Sequence, residues 1–326
     1  MSIKLRAKEL GFGSMASEKG QRFINPDGSA NARRIGGPLF SASDVFHQLI
    51  QMSWHKFFFM VLVCYAIANI IFASLYFSFG VQEIGILPSG NAGHDFLECF
   101  FFSTQCFTTI GFGRVNPQGI GANTVASAEG LIGLLTFAIA TGLLYGRFSR
   151  PRAHLMRSEN LLIAPYKVNQ RAAMFRIAST RKHSLLVDNT VSMSLGINLK
   201  ENGQYVRRFY ALNLELDRIN FLATSWTLVH PIKEESPLFG LTQEEIVNGR
   251  AEFIVLFRAM EETTSQITLE RFSYFVDEII WGAKFDPMIG TTDEGQPIMN
   301  LHLINQWKLA DLPELSHALE PTATEG

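Results

Sequence analysis

The sequence predicts a membrane protein of mixed α and β class. Two transmembrane helices enclose a re-entrant helix, and an antiparallel, immunoglobulin-like β-sandwich follows them. Long apolar runs at residues 57–79 and 124–146 predict the two membrane-crossing helices. A shorter apolar segment at 96–107 predicts the re-entrant helix. After residue 155, apolar and polar side chains alternate, as they do in strands with one buried face.

The first apolar run, residues 57–79, contains no charged side chain. At 1.5 Å per residue it is about 34 Å long, which exceeds a hydrocarbon core of roughly 30 Å. The second run, 124–146, has Glu129 as its only charge, and its glycines allow close packing between helices. Both runs are therefore predicted to cross a membrane.

The segment between these runs, FLECFFFSTQCF at residues 96–107, is too short to cross a bilayer. It is also too apolar for a solvated loop, which favours a re-entrant half-helix. A buried segment of a soluble domain is the alternative, and the two flanking spans argue against it.

Basic residues predict the orientation of the chain in the cell (inner) membrane. They precede the first run and follow the second, whereas the connecting segment contains one: Arg33, Arg34 and Lys56 before, Arg147, Arg150, Arg152 and Arg157 after, and Arg114 between. Because lysine and arginine accumulate on the cytoplasmic side, both termini of this multi-pass chain are expected there.

A short amphipathic helix is predicted at residues 41–53, just before the first span. Val45, Phe46 and Leu49 lie on one face, and Asp44 and His47 lie on the other. A helix of this kind is expected in the membrane interface, and an ordinary packing helix is the alternative.

Composition excludes several classes of protein. The 326 residues suffice for about two domains, and the net charge of −2 argues against a nucleic-acid partner. Cys64, Cys99 and Cys106 show neither zinc nor disulfide spacing, so they are expected to be small buried apolar residues. Scattered histidines and serines form no catalytic or metal-binding pattern, so we expect neither an enzyme nor a cofactor.

The segment that follows the half-helix has the composition of an ion-selective filter. Its six residues are Thr108, Thr109, Ile110, Gly111, Phe112 and Gly113. A potassium ion loses its water only where a ring of oxygens replaces it, and consecutive backbone carbonyls provide such rings. Alternating glycines allow this backbone because they adopt positive φ.

The segment resembles the TVGYG filter loop of potassium channels, and this resemblance implies potassium at the carbonyls of residues 109–112, as a permeant ion rather than a cofactor. Thr109 adds its hydroxyl at the inner end, whereas Ile110 and Phe112 are expected to point away and pack behind the filter. One filter copy per chain requires a homotetramer, since the axis needs four loops. A non-conducting membrane receptor, a tethered enzyme and a pore of low selectivity are the alternatives.

The second half of the chain reads as β structure. Alternation at 185–197, an Asn202-Gly203 hairpin turn, and further apolar runs at 251–257 and 275–281 predict an antiparallel sandwich. Residues 311–326 are expected to form a disordered tail.

Ordered motifs along residues 22–290 resemble the inward-rectifier potassium channel family, and specifically its bacterial (KirBac-type) members. The matching segments are RFINPDG at 22–28, the helix at 43–52, TIGFG at 109–113, RFSRPR at 147–152, and segments at 175–188, 227–238 and 277–282.

The resemblance implies a division of the chain into five parts. These are an N-terminal cytoplasmic segment 1–40, a slide helix 41–53, a pore domain 54–150, a cytoplasmic β-sandwich 151–310 and a tail 311–326. Within the pore domain it implies an outer helix 57–79, a pore helix 95–107, the filter 108–113 and an inner helix 124–148.

Departures from the family pattern suggest how the filter is supported. Eukaryotic members pair a pore-helix Glu with an Arg after the filter, and here Gln105 and Val115 take those positions. Glu129, on the second span, is expected to support the filter from behind instead.

Further departures concern rectification and gating. Phe137 replaces the acid that holds blocking cations in strong rectifiers, so block by polyamines or Mg²⁺ is expected to be weak. Asp188 matches a pore-facing acid of the family, and Tyr145 matches the bulky residue where the inner helices converge. Ba²⁺ is a further expected blocker of the pore.

Basic residues next to the spans are expected to bind anionic membrane lipid. They are His55, Lys56, Arg147, Arg150 and Arg152. Each basic residue at the depth of the lipid phosphate headgroups contributes about 1 kcal/mol of attraction to an anionic membrane surface. The alternative is that these arginines only determine topology.

Overall fold

The computed structural model describes residues 14–15, 22–26, 28–31, 42–149, 153–180, 185–201 and 204–313. Arg150, Arg152, the Asn202-Gly203 turn, His183 and most of the predicted tail lie outside these residues. The chain divides into a membrane unit within Ile35–Arg150 and a β unit made of the remaining residues.

Within residues 42–149, the membrane unit contains four α-helices: α1 (Ala42–Gln51), α2 (Trp54–Phe79), α3 (Ala92–Phe107) and α4 (Ile120–Phe148). A short 3-10 turn, Val81–Ile84, follows α2. Helices α2 and α4 are long and apolar enough to cross a membrane, and most of their surface is exposed in the single chain.

Three of these helices begin earlier than their apolar runs predict. Helix α3 starts at Ala92 because the Asn91 side chain accepts hydrogen bonds from the backbone N–H groups of Gly93 (3.0 Å) and His94 (3.4 Å). Helix α2 starts at Trp54 and α4 at Ile120, so each begins three to four residues before its apolar run. Hydropathy marks the segment inside the membrane, whereas the helix extends past it.

The membrane unit has its own apolar core, in which α2, α3 and α4 meet. Tyr76, Ile84, Cys99, Phe102 and Ala122 form its buried centre. Cys99 is buried as expected, but Cys64 is exposed on α2 and Cys106 is only half-buried, so burial of all three cysteines is wrong for the single chain.

The β unit is built mainly from two sheets. The larger sheet contains β1 (Ser14–Met15), β5 (Leu186–Glu201), β6 (Gln204–Leu212), β7 (Arg218–Leu222), β9 (Glu252–Glu261) and β10 (Gln266–Tyr274). The smaller contains β2 (Leu155–Arg157), β3 (Leu161–Tyr166), β4 (Gln170–Ser179), β8 (Ser225–Ile232) and β11 (Ile279–Trp281). Among the described strands, β3 and β11 form the one parallel pair, and the predicted sandwich is otherwise antiparallel.

The remaining elements of this unit are short. They are α5 (Gln243–Asn248), β12 (Ala283–Phe285), β13 (Ile289–Thr291), β14 (Pro297–Met299) and β15 (Trp307–Leu309). Strand β15 pairs with β12, and the carbonyl of Pro313 accepts a hydrogen bond from Arg171 at 2.8 Å. Residues 311–313 are therefore ordered, contrary to a tail that begins at 311.

The N-terminal segment 22–31 docks on the β unit through a buried carboxylate. Glu252 accepts hydrogen bonds from the backbone N–H groups of Phe23 (2.7 Å) and Ile24 (2.9 Å) and forms an ion pair with Arg207 at 2.7 Å. Arg22 pairs with Glu278 at 2.6 Å. The segment therefore belongs to the folded β unit.

Candidate functional site

The segment after α3 has left-handed backbone at every second residue. Thr109 has a φ of 58°, Gly111 of 54° and Gly113 of 80°. Neighbouring carbonyls of an ordinary extended chain point to opposite sides, and a left-handed residue at alternate positions brings them to one side. The arrangement can therefore offer successive oxygens to one ion.

The left-handed conformation of Thr109 could not be predicted from residue type. Positive φ was expected at the two glycines, but a β-branched residue in this region is strained. Backbone hydrogen bonds hold the segment: Thr109 N–H donates to the Cys106 carbonyl (3.1 Å) and Ile110 N–H donates to the Gln105 carbonyl (3.0 Å). Gln105 thus contacts the filter through its backbone.

The large apolar side chains of the segment are mostly exposed in the single chain. Ile110 is 58% exposed and Phe112 is 77% exposed. Contacts within the described chain therefore do not pack either side chain behind the filter.

Glu129 joins three helices behind this segment. The carboxylate is fully buried and accepts hydrogen bonds from the Tyr76 hydroxyl of α2 (2.6 Å) and the Ser103 hydroxyl of α3 (2.5 Å). The Ser103 oxygen also lies 3.1 Å from the side-chain oxygen of Asn69. The buried carboxylate contacts the half-helix as anticipated, while Tyr76 and Asn69 were not expected from the sequence.

Gly133 provides a second contact between α4 and the end of α3. A Cβ placed on Gly133 would lie 2.2 Å from the carbonyl oxygen of Phe107, the last residue of α3. The two backbones can approach this closely only because the position is glycine.

An ion pair occupies the other end of the segment. Arg114 follows Gly113 directly and pairs with Glu98 of α3. Val115, the next residue, is buried in the membrane-unit core. Arg114 is the one Lys or Arg between the spans, so the sequence alone could have singled it out as a charge near the filter.

Phe137 and Tyr145 are both exposed on α4 in the single chain. Asp188, in β5, has a φ of 51° and lies where the β5–β9 pairing shifts register. Its carboxylate pairs with Arg218 at 2.6 Å, a partner that sequence reasoning missed.

Arg147 is directed at α1 rather than at solvent. Its guanidinium donates hydrogen bonds to the backbone carbonyls of Leu49 (2.5 Å), Ile50 (3.2 Å) and Met52 (2.6 Å). These carbonyls are the unpaired acceptors at the end of a helix. Backbone acceptors therefore engage both terminal nitrogens of Arg147, which places its guanidinium against α1 and argues against its predicted role as a lipid ligand.

The other expected lipid ligands differ from Arg147. His55 and Lys56 are exposed in the first turn of α2, whereas Arg150 and Arg152 lie outside the described residues.

Among the described residues, no group of three or more His, Cys, Asp or Glu side chains is placed to hold a metal ion. His230 is buried with both ring nitrogens bonded, to the Asn213 carbonyl and the Ser236 hydroxyl, and burial lowers its pKa.

Comparisons with known proteins match both units. A family model described as "Inward rectifier potassium channel C-terminal domain" matches residues 157–324, and one described as "Ion channel" matches 59–150. The chain is 34% identical over 284 residues to the inward rectifier potassium channel Kirbac3.1 of Paramagnetospirillum magnetotacticum, covering 86% of this chain and 93% of that protein. It is 24% identical over 292 residues to the human inward rectifier potassium channel 18, covering 84% and 67%.

Proposed function

Because this chain belongs to the inward-rectifier potassium channel family, we propose that four copies form a pore that conducts K⁺ passively. Residues 108–113 of each copy line its filter, with K⁺ held at the carbonyls of residues 109–112. The observation that carries this proposal is the alternation of positive φ at Thr109, Gly111 and Gly113.

A homotetramer explains the apolar surface left uncovered by a single chain. Ile110 and Phe112 are mostly exposed next to the filter, and one chain provides only one filter segment. Four copies around an axis supply both the missing oxygens and a partner surface for these side chains.

Glu129 and Gly133 keep the filter in place in this proposal. The buried carboxylate fixes α3 through Ser103, and the glycine lets α4 rest against the last carbonyl of α3. A carboxylate inside a span is costly unless it is satisfied, so its retention here points to such a role.

Tyr145 forms the gate of the proposed channel. Four such rings near the end of α4 can close a hydrophobic constriction that stops ions by dewetting. Arg147 joins α1 to α4 two residues further on, so movement of the slide helix reaches the gate. The β unit is proposed to lie in the cytoplasm, with both termini, and to bias this gate.

Anionic lipid is proposed to bind at His55, Lys56, Arg150 and Arg152, with Arg147 assigned to the slide helix instead. Rectification by polyamines or Mg²⁺ is weak, because Phe137 offers no charge and Arg218 compensates Asp188.

The test is ⁸⁶Rb⁺ uptake into liposomes that contain the purified protein, with Na⁺ and Ba²⁺ as competitors. We expect uptake that Ba²⁺ blocks and that excess Na⁺ leaves unchanged. Equal competition by Na⁺ would indicate a pore of low selectivity, and absence of uptake by a folded tetramer would contradict a channel.

A further inference from the structure

The segment between α2 and α4 contains three carboxylates and, besides His94, one basic residue. The acids are Glu83, Asp95 and Glu98, and the basic residue is Arg114. Arg114 follows the last filter residue in the chain. In a tetramer, four arginines therefore surround the outer end of the filter.

Glu98 is the counter-ion of this arginine among the described residues. The two side chains form a hydrogen-bonded ion pair in which Arg114 is 67% exposed and Glu98 is 18% exposed. Asp95 accepts a hydrogen bond from the Ser89 N–H at 3.0 Å. Glu83 lies against Gly119, so neither of these acids is placed to replace Glu98.

The residues after the filter hold Arg114 in this position. Val115 is buried in the core of the membrane unit, and the Asn116 side chain donates a hydrogen bond to the Gly113 carbonyl at 3.3 Å. Arg114 thus extends from a fixed turn. Arg114 directly follows Gly113, so its charge lies close to the outer end of the filter. The separation is comparable to the Debye length, which is about 10 Å at 0.1 M salt, so salt does not fully screen this charge from a passing ion.

We propose that Glu98 neutralises Arg114 at the outer mouth and that this pair determines how fast K⁺ passes there. The inference rests on the proposed channel function. Without Glu98, four uncompensated guanidinium groups would repel every cation that enters or leaves the filter. The pair is distinct from the one in eukaryotic relatives, whose positions are occupied here by Gln105 and Val115.

The experiment compares Ba²⁺-sensitive ⁸⁶Rb⁺ uptake by the unmodified tetramer, Glu98→Gln, Arg114→Gln and the double variant. Each is measured at low ionic strength and again with added impermeant N-methyl-D-glucamine chloride. Uptake reports the outer mouth in either orientation of the protein, since the ion must cross it in both. Glu83→Gln removes a carboxylate from the same segment without touching Arg114 and serves as the matched control.

We expect Glu98→Gln to lower uptake about three- to tenfold at low ionic strength, because attraction or repulsion of ions by local charge has at least this effect. Added salt should remove most of the difference. Arg114→Gln should restore uptake in the Glu98→Gln background, and Glu83→Gln should stay close to the unmodified protein.

Unchanged uptake by Glu98→Gln, with an active unmodified channel, would overturn this inference alone. A loss that persists at high ionic strength and in the double variant would indicate a folding role and would also overturn it. No Ba²⁺-sensitive uptake by the unmodified protein would overturn the proposed function, and this inference with it.

Discussion

The guanidinium carbon of Arg147 lies 4.5 Å from the ring centroid of Trp54, in a cation–π contact that joins the end of α4 to the start of α2. The same group lies 4.5 Å from the ring of Phe57 and donates to three carbonyls at the end of α1. Three helices therefore meet at one charged side chain next to the proposed gate.

Arg147→Gln should destabilise the tetramer by about 2 kcal/mol, because hydrogen bonds from a charged group contribute roughly 1.5–3 kcal/mol. Arg147→Lys should restore little of this, since an ammonium lacks the planar fork and the stacking surface. The measurement is the melting temperature of the purified tetramer. Lys56→Gln, at an exposed cation nearby, is the control, and equal melting of Arg147→Gln and Lys56→Gln would contradict the contact's importance.

Gly111→Ala should abolish ⁸⁶Rb⁺ uptake while the tetramer still assembles. No atom lies within 4 Å of the added Cβ inside the chain, so the effect comes from the positive φ of 54°. Gly90→Ala carries the same backbone penalty outside the filter, at a φ of 77° with open space, and should conduct normally. Normal uptake through Gly111→Ala would show that the filter lies elsewhere.

Glu129→Ala should lower uptake at least about tenfold, because it removes the acceptor of the Tyr76 hydroxyl and the nearest acceptor of the Ser103 hydroxyl, and an unpaired buried donor costs roughly 1–3 kcal/mol. Glu129→Gln keeps an acceptor and should lose less. Ser127→Ala is the control, since that hydroxyl is exposed and bonds only within α4, to the Asn123 carbonyl. Unaltered uptake and tetramer stability in Glu129→Ala would remove this residue from the filter support.

Internal spermine should block the unmodified channel weakly. Phe137→Asp should strengthen the block by placing four carboxylates in the cavity, and Arg218→Gln should strengthen it by releasing Asp188 from its ion pair. The measurement is the voltage dependence of the current in planar bilayers, with Phe137→Leu as the uncharged control. Strong voltage-dependent block before any substitution would contradict this assignment.

Tyr145→Ala should raise basal ⁸⁶Rb⁺ uptake, because the smaller side chain widens the constriction and admits water.

Arg150→Gln combined with Arg152→Gln should reduce the change in uptake that added phosphoinositide causes, whether the lipid activates or inhibits the channel. Lys284→Gln, at an exposed cation of β12, is the control. If the double variant responds to the lipid as the unmodified protein does, these arginines serve topology only.

Much of the fold could be predicted from local patterns. The spans, the half-helix and the filter are contiguous, and hydropathy, length and glycine spacing identify each without knowledge of its neighbours. Strand alternation likewise indicated the sandwich, although the parallel β3–β11 pair and the ordered residues 311–313 depend on contacts between distant segments.

By itself, the sequence predicted which segments are apolar enough to cross a membrane and which residues form the proposed filter, since both predictions follow from the chemistry of consecutive residues. Only the tertiary structure decided the partners: Glu129 with Ser103 and Tyr76, Asp188 with Arg218, and Arg147 with the end of α1. Such partners depend on how helices rotate and pack and on strand register. The sequence alone therefore cannot distinguish a charged side chain that binds lipid from one that donates to the end of a neighbouring helix.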